Sequence, residues 1–324
     1  MSPRLLVLGW HNVESSWLFP VRPGAGVRGL GRQLAFLRRR MTVVPLGDAL
    51  RALSQGQPLP PRAVAVTFDD GYRDTLELAV PILERLGLPA TFFLVPELLS
   101  GLIRPWWEML GWAFTCSRRE SIRWEGHQLG LRGAAERRAS LTAMAERLKQ
   151  RPVADLDRAV TELRLLCDPS GAPGHTEMFL DWPGARELVR RGFTVGSHSL
   201  KHTILACEAP PEQRRDLLLS RQQLEHRLGV TVDLLAYPNG LPGDYDATTI
   251  RAARDAGYAY AVTTNQGWNR AATPPYEIRR FVQQPQRGVA GLALAPLQAT
   301  RSRLSAAVPR LASRGRRRQA QTDS

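Results

Sequence analysis

Apolar residues recur along this chain in two alternating rhythms. Short unbroken runs, such as Ala63-Val64-Ala65-Val66-Thr67-Phe68 and Thr91-Phe92-Phe93-Leu94, read as strands buried on both faces. Between them lie longer segments whose leucines return at helical spacing, as Leu217, Leu224 and Leu228 do before Gly229. The predicted strands are 4–9, 63–68, 91–95, 193–197, 233–237, 258–263 and 278–282. Predicted helices include 74–86, with Gly87 as its stop and Pro81 as a kink or break, and 211–228. Strand and helix alternate, which predicts a parallel α/β architecture. Residues 101–176 interrupt the alternation with two further helical patterns, Leu141, Met144, Leu148 and then Leu156, Val160, Leu163, Cys167. We read this stretch as a helical insertion.

The chemistry sits at the ends of the apolar runs. Asp69 and Asp70 close the strand that ends at Phe68. Successive strand residues face opposite ways, so both carboxylates reach one site only if the backbone leaves strand geometry there, which Gly71 permits. Two convergent anions require a cation or a shared proton. His198 and His202, four residues apart in Gly196-Ser197-His198-Ser199-Leu200-Lys201-His202, fall on one side of a helical turn or tight loop. One carboxylate with two imidazoles and open positions is a catalytic type of metal set. Taken singly, an Asp-Asp-Gly is also a solvated turn and a His-x-x-x-His also a surface pair; together, each behind a strand, they point to a metal site.

These residues carry a resemblance. Thr67-Phe68-Asp69-Asp70-Gly71 followed by His198-Ser199-Leu200-Lys201-His202 resembles the first two motifs of the polysaccharide deacetylases, the NodB-homology or carbohydrate esterase 4 family. Pro89-Ala90-Thr91-Phe92-Phe93-Leu94, Ala236-Tyr237-Pro238-Asn239-Gly240 and Ala256-Gly257-Tyr258 resemble its later segments, so the likeness spans roughly residues 4–285. The resemblance implies an incomplete TIM-like (β/α)7 barrel with catalytic groups just after its strands. It implies Asp69 as general base, Asp70, His198 and His202 as metal ligands, and a backbone N–H near Asn239, after Tyr237 and Pro238, as oxyanion donor. Zinc is the default ion by ligand type, with Co2+, Ni2+ or Mn2+ also accepted by nitrogen and oxygen ligands.

Two departures from the family pattern direct the rest of the reading. The family's third motif commonly opens with an Arg that orients the base, and here that position is Ala236. Arg280, in Tyr276-Glu277-Ile278-Arg279-Arg280-Phe281, is the proposed substitute, against the plainer reading of a solvated Arg pair. The late Leu-x-His that supplies the acid is missing, since no His follows His226. His11, ending the first apolar run, resembles the Tyr-His of poly-N-acetylglucosamine deacetylases and is the proposed acid.

Composition then narrows the picture. The chain has 324 residues, 43% of them hydrophobic, and a net charge of +14. The expected organisation is one catalytic domain, 1–290, with its insertion at about 101–176, followed by a basic tail, 291–324. The tail holds seven arginines against one acid, Asp323, so +6 of the charge lies there. No helix-turn-helix, zinc-finger or RNP motif accompanies it, so nucleic acid is not an expected partner. Leu297, Leu304, Val308 and Leu311 between arginines suggest a weak membrane-surface segment or a solvated tail. No apolar run approaches the ~18 residues of a membrane span, and residues 5–8 are too short for a signal-peptide core. Cys116, Cys167 and Cys207 form no paired motif. Together these give an expected cytoplasmic location, with peripheral contact at the inner membrane face. Trp106, Trp107 and Trp112, and also Trp182 and Trp268, are either sugar-stacking walls or core anchors.

The expected activity is metal-dependent removal of acetyl from an N-acetylated amino sugar in a polysaccharide, oligosaccharide or lipid-linked glycan. O-acetyl ester hydrolysis, hydrolysis of a small amide, and a non-catalytic glycan- or membrane-binding module that retains the metal site stand as alternatives.

Overall fold

The computed structural model describes residues 3–20 and 22–292. The basic tail, with its suggested membrane contact, lies outside the described residues. Among the described residues there are ten strands: β1 (Leu6–Trp10), β2 (Thr42–Val43), β3 (Ala63–Phe68), β4 (Thr91–Leu94), β5 (Ser121–Trp124), β6 (His127–Gly130), β7 (Thr194–Ser197), β8 (Leu234–Ala236), β9 (Tyr260–Val262) and β10 (Phe281–Val282). Eight form one parallel sheet with the path β10-β1-β3-β4-β7-β8-β9, and β2 pairs with β3. Its register sets Leu6 beside Val64 and Trp10 beside Phe68. The sheet curls into an incomplete barrel, and a single parallel bridge, Val262 to Ile278, spans the seam between β9 and the approach to β10.

All residues of β1 and β3 are buried, as a strand with an interior on one side and helices on the other requires. Leu6, Leu8, Trp10, Val64, Val66 and Phe68 pack outward under the helices. Val7, Ala63, Ala65, Phe93, Leu234 and Val262 pack inward. The helices are α1 (Ala25–Arg40), α2 (Leu46–Ser54), α3 (Val80–Leu86), α4 (Pro96–Leu99), α5 (Trp106–Thr115), α6 (Gly133–Leu148), α7 (Val153–Cys167), α8 (His175–Met178), α9 (Trp182–Arg190), α10 (Pro210–Leu228) and α11 (Ala247–Asp255). Leu46, Ala49, Leu50 and Leu53 of α2 join the inward cluster. The Ser54 hydroxyl lies 3.1 Å from that of Tyr260, the first residue of β9, so α2 plugs the barrel at the N-terminal ends of its strands. The opposite end stays open.

Pro81 has the expected effect in an unusual form. Instead of breaking the helix, the chain widens into a π-turn at Thr75–Ala79 that leads into α3, and a wider turn accommodates the missing proline N–H. Gly87 ends α3 at φ 62°. Between β4 and β7 the chain builds a second core, in which α5, α6, α7 and the β5-β6 hairpin surround Leu110, Phe114, Met144, Leu148 and Leu163. Tyr72 and Val95 join that core to the barrel. The sequence reading contained the two longer helices of this region but neither the hairpin nor α5.

Candidate active site

The open end gathers the acids and imidazoles named from the sequence. The Asp69 backbone N–H still donates to the Trp10 carbonyl at 2.9 Å, so Asp69 continues the strand alignment. The next two residues turn left-handed, Asp70 at φ 67° and Gly71 at φ 76°, and this swings the second carboxylate to the same side as the first. The departure from strand geometry therefore begins at Asp70 itself, one residue before the glycine. His198 and His202 converge by the same device: Ser199 and His202 have φ 63° and 58°, so a tight loop carries them rather than a helical turn. Non-glycine residues in this region cluster where function over-determines the backbone.

Asp70 Oδ1 lies 3.2 Å from His198 Nε2 and 3.3 Å from His202 Nε2. For ligand bonds of about 2.0–2.1 Å, the edge of a tetrahedron is about 3.3 Å, so the three atoms stand where three ligands of one ion would. Two further features fit. Asp70 Oδ1 is buried with no hydrogen-bond donor, and His198 Nδ1 lies 2.7 Å from the Ala236 carbonyl. As donor to that carbonyl, Nδ1 carries the ring proton and leaves Nε2 with its lone pair toward Asp70. Among the described residues this is the one group of three such ligands.

Asp69 is held from inside the barrel. Arg280 Nη1 donates to its Oδ1 at 2.6 Å and Nη2 to its Oδ2 at 2.7 Å, a two-pronged pairing with both side chains buried. Burial pushes the Asp69 carboxyl up, but Arg280, aided by His198 and His11, outweighs it and holds the group below the ordinary aspartate range. Gly9 makes room for the arginine, since a Cβ there would lie 3.0 Å from Arg280 Cδ. Arg280 also donates to Thr67 Oγ1 at 3.1 Å. Ala236, where the family pattern has its Arg, packs in the same interior.

His11 follows β1 and places Nε2 4.0 Å from Asp69 Oδ2, with its ring stacked on Phe19. With Asp70, His202 and Asn239 it lines a cavity of about 270 Å3. Among the described residues, nothing accepts the Asn239 backbone N–H, while its side chain donates to Asp244 at 2.6 Å. Tyr237 is a correction to the sequence reading. Its backbone N–H is committed to the Val262 carbonyl at 3.0 Å and its ring stacks on Tyr245 in the outer core, so it takes no part in the cavity. The alternation of a strand decides this: Ala236 faces inward and its neighbour faces out.

The tryptophans divide. Trp106 and Trp107 line the cavity though nearly buried, and the Trp107 ring lies 4.2 Å from that of His202. Trp112, Trp182 and Trp268 do not reach it. Trp107 Nε1 donates to the Tyr72 hydroxyl at 2.9 Å, which donates in turn to Glu108 at 2.6 Å. Glu108 also accepts the backbone N–H groups of Trp17 and Leu18, so one buried carboxylate ties the loop carrying Phe19 to the tryptophan behind His202. The sequence reading missed Glu108. A lone acid inside the apolar run Trp106–Phe114 was its available signal.

Two other missed aspartates brace the site loops. Asp74 accepts the N–H groups of Val13 and Glu14, just beyond His11, and burial pushes its carboxyl up to about 6. Asp216 accepts the Leu200 N–H at 2.8 Å, between the two histidines, and burial pushes it up to about 7.

An incomplete parallel barrel with paired aspartates and two histidines at its open end defines a class of hydrolase, and sequence comparison identifies it. The polysaccharide deacetylase family model matches residues 56–261, and the chain belongs to that family, whose members are carbohydrate deacetylases. YxkH of Bacillus subtilis (strain 168), whose name places it among the polysaccharide deacetylases, is 21% identical over 246 residues, 76% of this chain and 60% of that one. The poly-beta-1,6-N-acetyl-D-glucosamine N-deacetylase of Escherichia coli (strain K12) is 33% identical over 88 residues, 27% of this chain and 13% of that one. This chain thus spans less than two thirds of either relative. Among solved structures, the Streptococcus pyogenes deacetylase PplD in complex with acetate superposes with a TM-score of 0.60 at 18% identity, over 92% of this chain and 99% of that one. IcaB from Ammonifex degensii gives a TM-score of 0.56 at 20% identity, over 93% and 97%. Both likenesses are of fold.

Proposed function

We propose that this protein is a metal-dependent N-deacetylase acting on N-acetylated amino sugars of a glycan. The observation that carries the proposal is the division of the two adjacent carboxylates. Asp70 stands with His198 and His202 in a ligand triangle, while Asp69 is kept ionised beside it by Arg280. A binding module that merely kept its metal would need Asp70 alone, and a second buried carboxylate with its own buried guanidinium is costly to retain.

Asp70, His198 and His202 would hold the ion, zinc by ligand type. When bound, a divalent ion supplies a Lewis acid that acidifies water and polarises the acetamide carbonyl. Asp69 takes the proton of the water that attacks the acetyl carbon; Arg280 keeps the carboxylate free of a proton beforehand and fixes its direction. The Asn239 N–H, without an acceptor among the described residues, serves as the donor to the developing oxyanion. His11 Nε2, on the open side of Asp69, gives a proton to the departing sugar amine, so the C–N bond breaks to acetate and a free amine.

The test is acetate release from N-acetylglucosamine oligomers by zinc-loaded protein, against matched O-acetylated glycans. Asp69→Asn should lower turnover by roughly 10²–10⁴ with metal content unchanged. Acetate release by the wild type no greater than by the variant, on amides and esters alike, would leave the binding-module reading in its place.

A further inference from the structure

The cleft continues past His11 into a second cavity of about 220 Å3 between the barrel and the insertion. Its polar lining is His11, Asn12, Gln283, Gln284 and Gln286 from the barrel side and Arg138 from α6. Among the described residues, no Asp or Glu lines it. Helix α6 presents one stripe, Leu141, Met144 and Leu148, to the second core, and an adjacent stripe, Thr142, Ala145, Glu146 and Lys149, to the metal-side cavity. Arg138 begins that second stripe, one turn before Thr142.

Arg138, like the exposed helix arginines Arg147 and Arg214, has no acid partner among the described residues; what sets it apart is its place in the lining of this cavity. Arg51, Lys149, Arg158 and Arg190 each pair with an acid three residues earlier. Arg138 has Ala134, Ala135, Leu141 and Thr142 at the helical neighbour positions, so its own helix supplies no counter-ion. Among the described residues it forms no ion pair, and Arg137 beside it is spent on the carbonyls of Thr115, Leu131 and Ser117. An exposed guanidinium over a trough of amide groups free of acids suits a planar or tetrahedral oxyanion flanked by sugar hydroxyls.

We propose that this trough binds an anionic substituent, phosphate or carboxylate, on the sugar next to the one that loses its acetyl group, with Arg138 as the specificity-determining residue. Four residues of helix separate Arg138 from Thr142, about 6 Å of rise, close to the length of one pyranose. The proposal rests on the deacetylase reading and narrows its substrate to acidic glycans.

Acetate release is measured on three matched N-acetylated oligomers, neutral, phosphorylated and uronate-bearing, with wild type, Arg138→Ala, Arg138→Lys and Arg138→Glu. The expected wild-type preference, as kcat/KM for an anionic over the neutral oligomer, is on the order of tenfold. Arg138→Ala should bring that ratio to about one, Arg138→Lys should keep part of it and Arg138→Glu should reverse it, with the neutral substrate unaffected. The phosphate and uronate arms show which oxyanion is preferred, and preference for either supports the proposal. Equal rates on all three oligomers, or a preference that survives Arg138→Glu, would overturn it. If no oligomer releases acetate, the deacetylase reading fails on its own. Equilibrium binding of the same oligomers to wild type and Arg138→Glu then decides the trough, and equal affinity for neutral and anionic forms overturns it.

Discussion

The barrel and the insertion are both buried apolar units, but they contribute different things to one cleft. The barrel supplies every group placed here at the reacting atoms: Asp69, Asp70, His198, His202, His11 and the Asn239 backbone all follow strands, and Arg280, which positions Asp69, immediately precedes β10. The insertion supplies walls, with Trp107 behind His202 and the Thr142 to Lys149 face of α6 across from it. Parallel strands deliver their C-terminal ends to one rim, so groups far apart in sequence meet there. An insertion held by its own core can vary its outward face without disturbing that rim. Chemistry should therefore fail when the barrel is altered, and substrate choice or metal affinity should shift when the insertion is.

The sharpest way to break this division is at His11. His11→Ala should cost roughly 10²–10⁴ in turnover on an amide substrate while zinc stoichiometry stays the same, read by single-turnover kinetics and metal analysis. Unchanged turnover would remove His11 as the acid and return the role to a cleft group of the insertion. Arg280→Met comes next. It leaves the buried Asp69 without its partner, and the expected loss of folding stability is about 3–5 kcal/mol by denaturant unfolding, accompanied by lost activity. Gly9→Val, by crowding the same guanidinium, should reproduce the activity loss without removing it.

A third effect concerns pH. Burial raises Asp216 from the ordinary 3.8 to about 7, and a group with a raised folded pKa contributes stability fully below its unfolded value and loses it as pH rises through the folded one. Stability should fall between about pH 4 and 7 by an amount on the order of 4 kcal/mol at most. In Asp216→Asn, which still offers an oxygen to the Leu200 N–H, that slope should flatten; melting curves at several pH values read it directly. The smallest effect is expected from the insertion. Trp107→Phe keeps an aromatic ring against His202 but removes the hydrogen bond to Tyr72, worth about 1 kcal/mol, and should weaken zinc affinity a few-fold with kcat of the loaded protein nearly unchanged. A collapse of kcat would place Trp107 with the barrel groups.

Much of the barrel was legible in the chain because doubly buried strands write themselves as unbroken apolar runs. All seven expected strands are present: 63–68 with the expected bounds, the first displaced to Leu6–Trp10, and the other five shortened by one to three residues where the ladder frays. What escaped was short or weakly patterned. The two residues of β2 hold too little sequence to signal a strand, and the exposed alternate positions of β5 and β6 resemble a polar loop. At the site, Asp69, Asp70, His198 and His202 were legible from motif and spacing. Glu108, Asp74 and Asp216 were not, because each serves backbone N–H groups far away in the chain, and no local spacing encodes such a partner. Tyr237 was misplaced because a motif names neighbours, while the pleat decides which of them faces inward.

By itself, then, the sequence determined most elements of the barrel, the carboxylate and imidazole types proposed as metal ligands, and the need for a counter-charge beside Asp69. Only the tertiary structure decided that Arg280, 211 residues away, meets both oxygens of that carboxylate, and that a glycine on a third segment leaves it room. Burial and hydrogen-bond direction are properties of the closed barrel, and they select one arginine from many that are equivalent as letters.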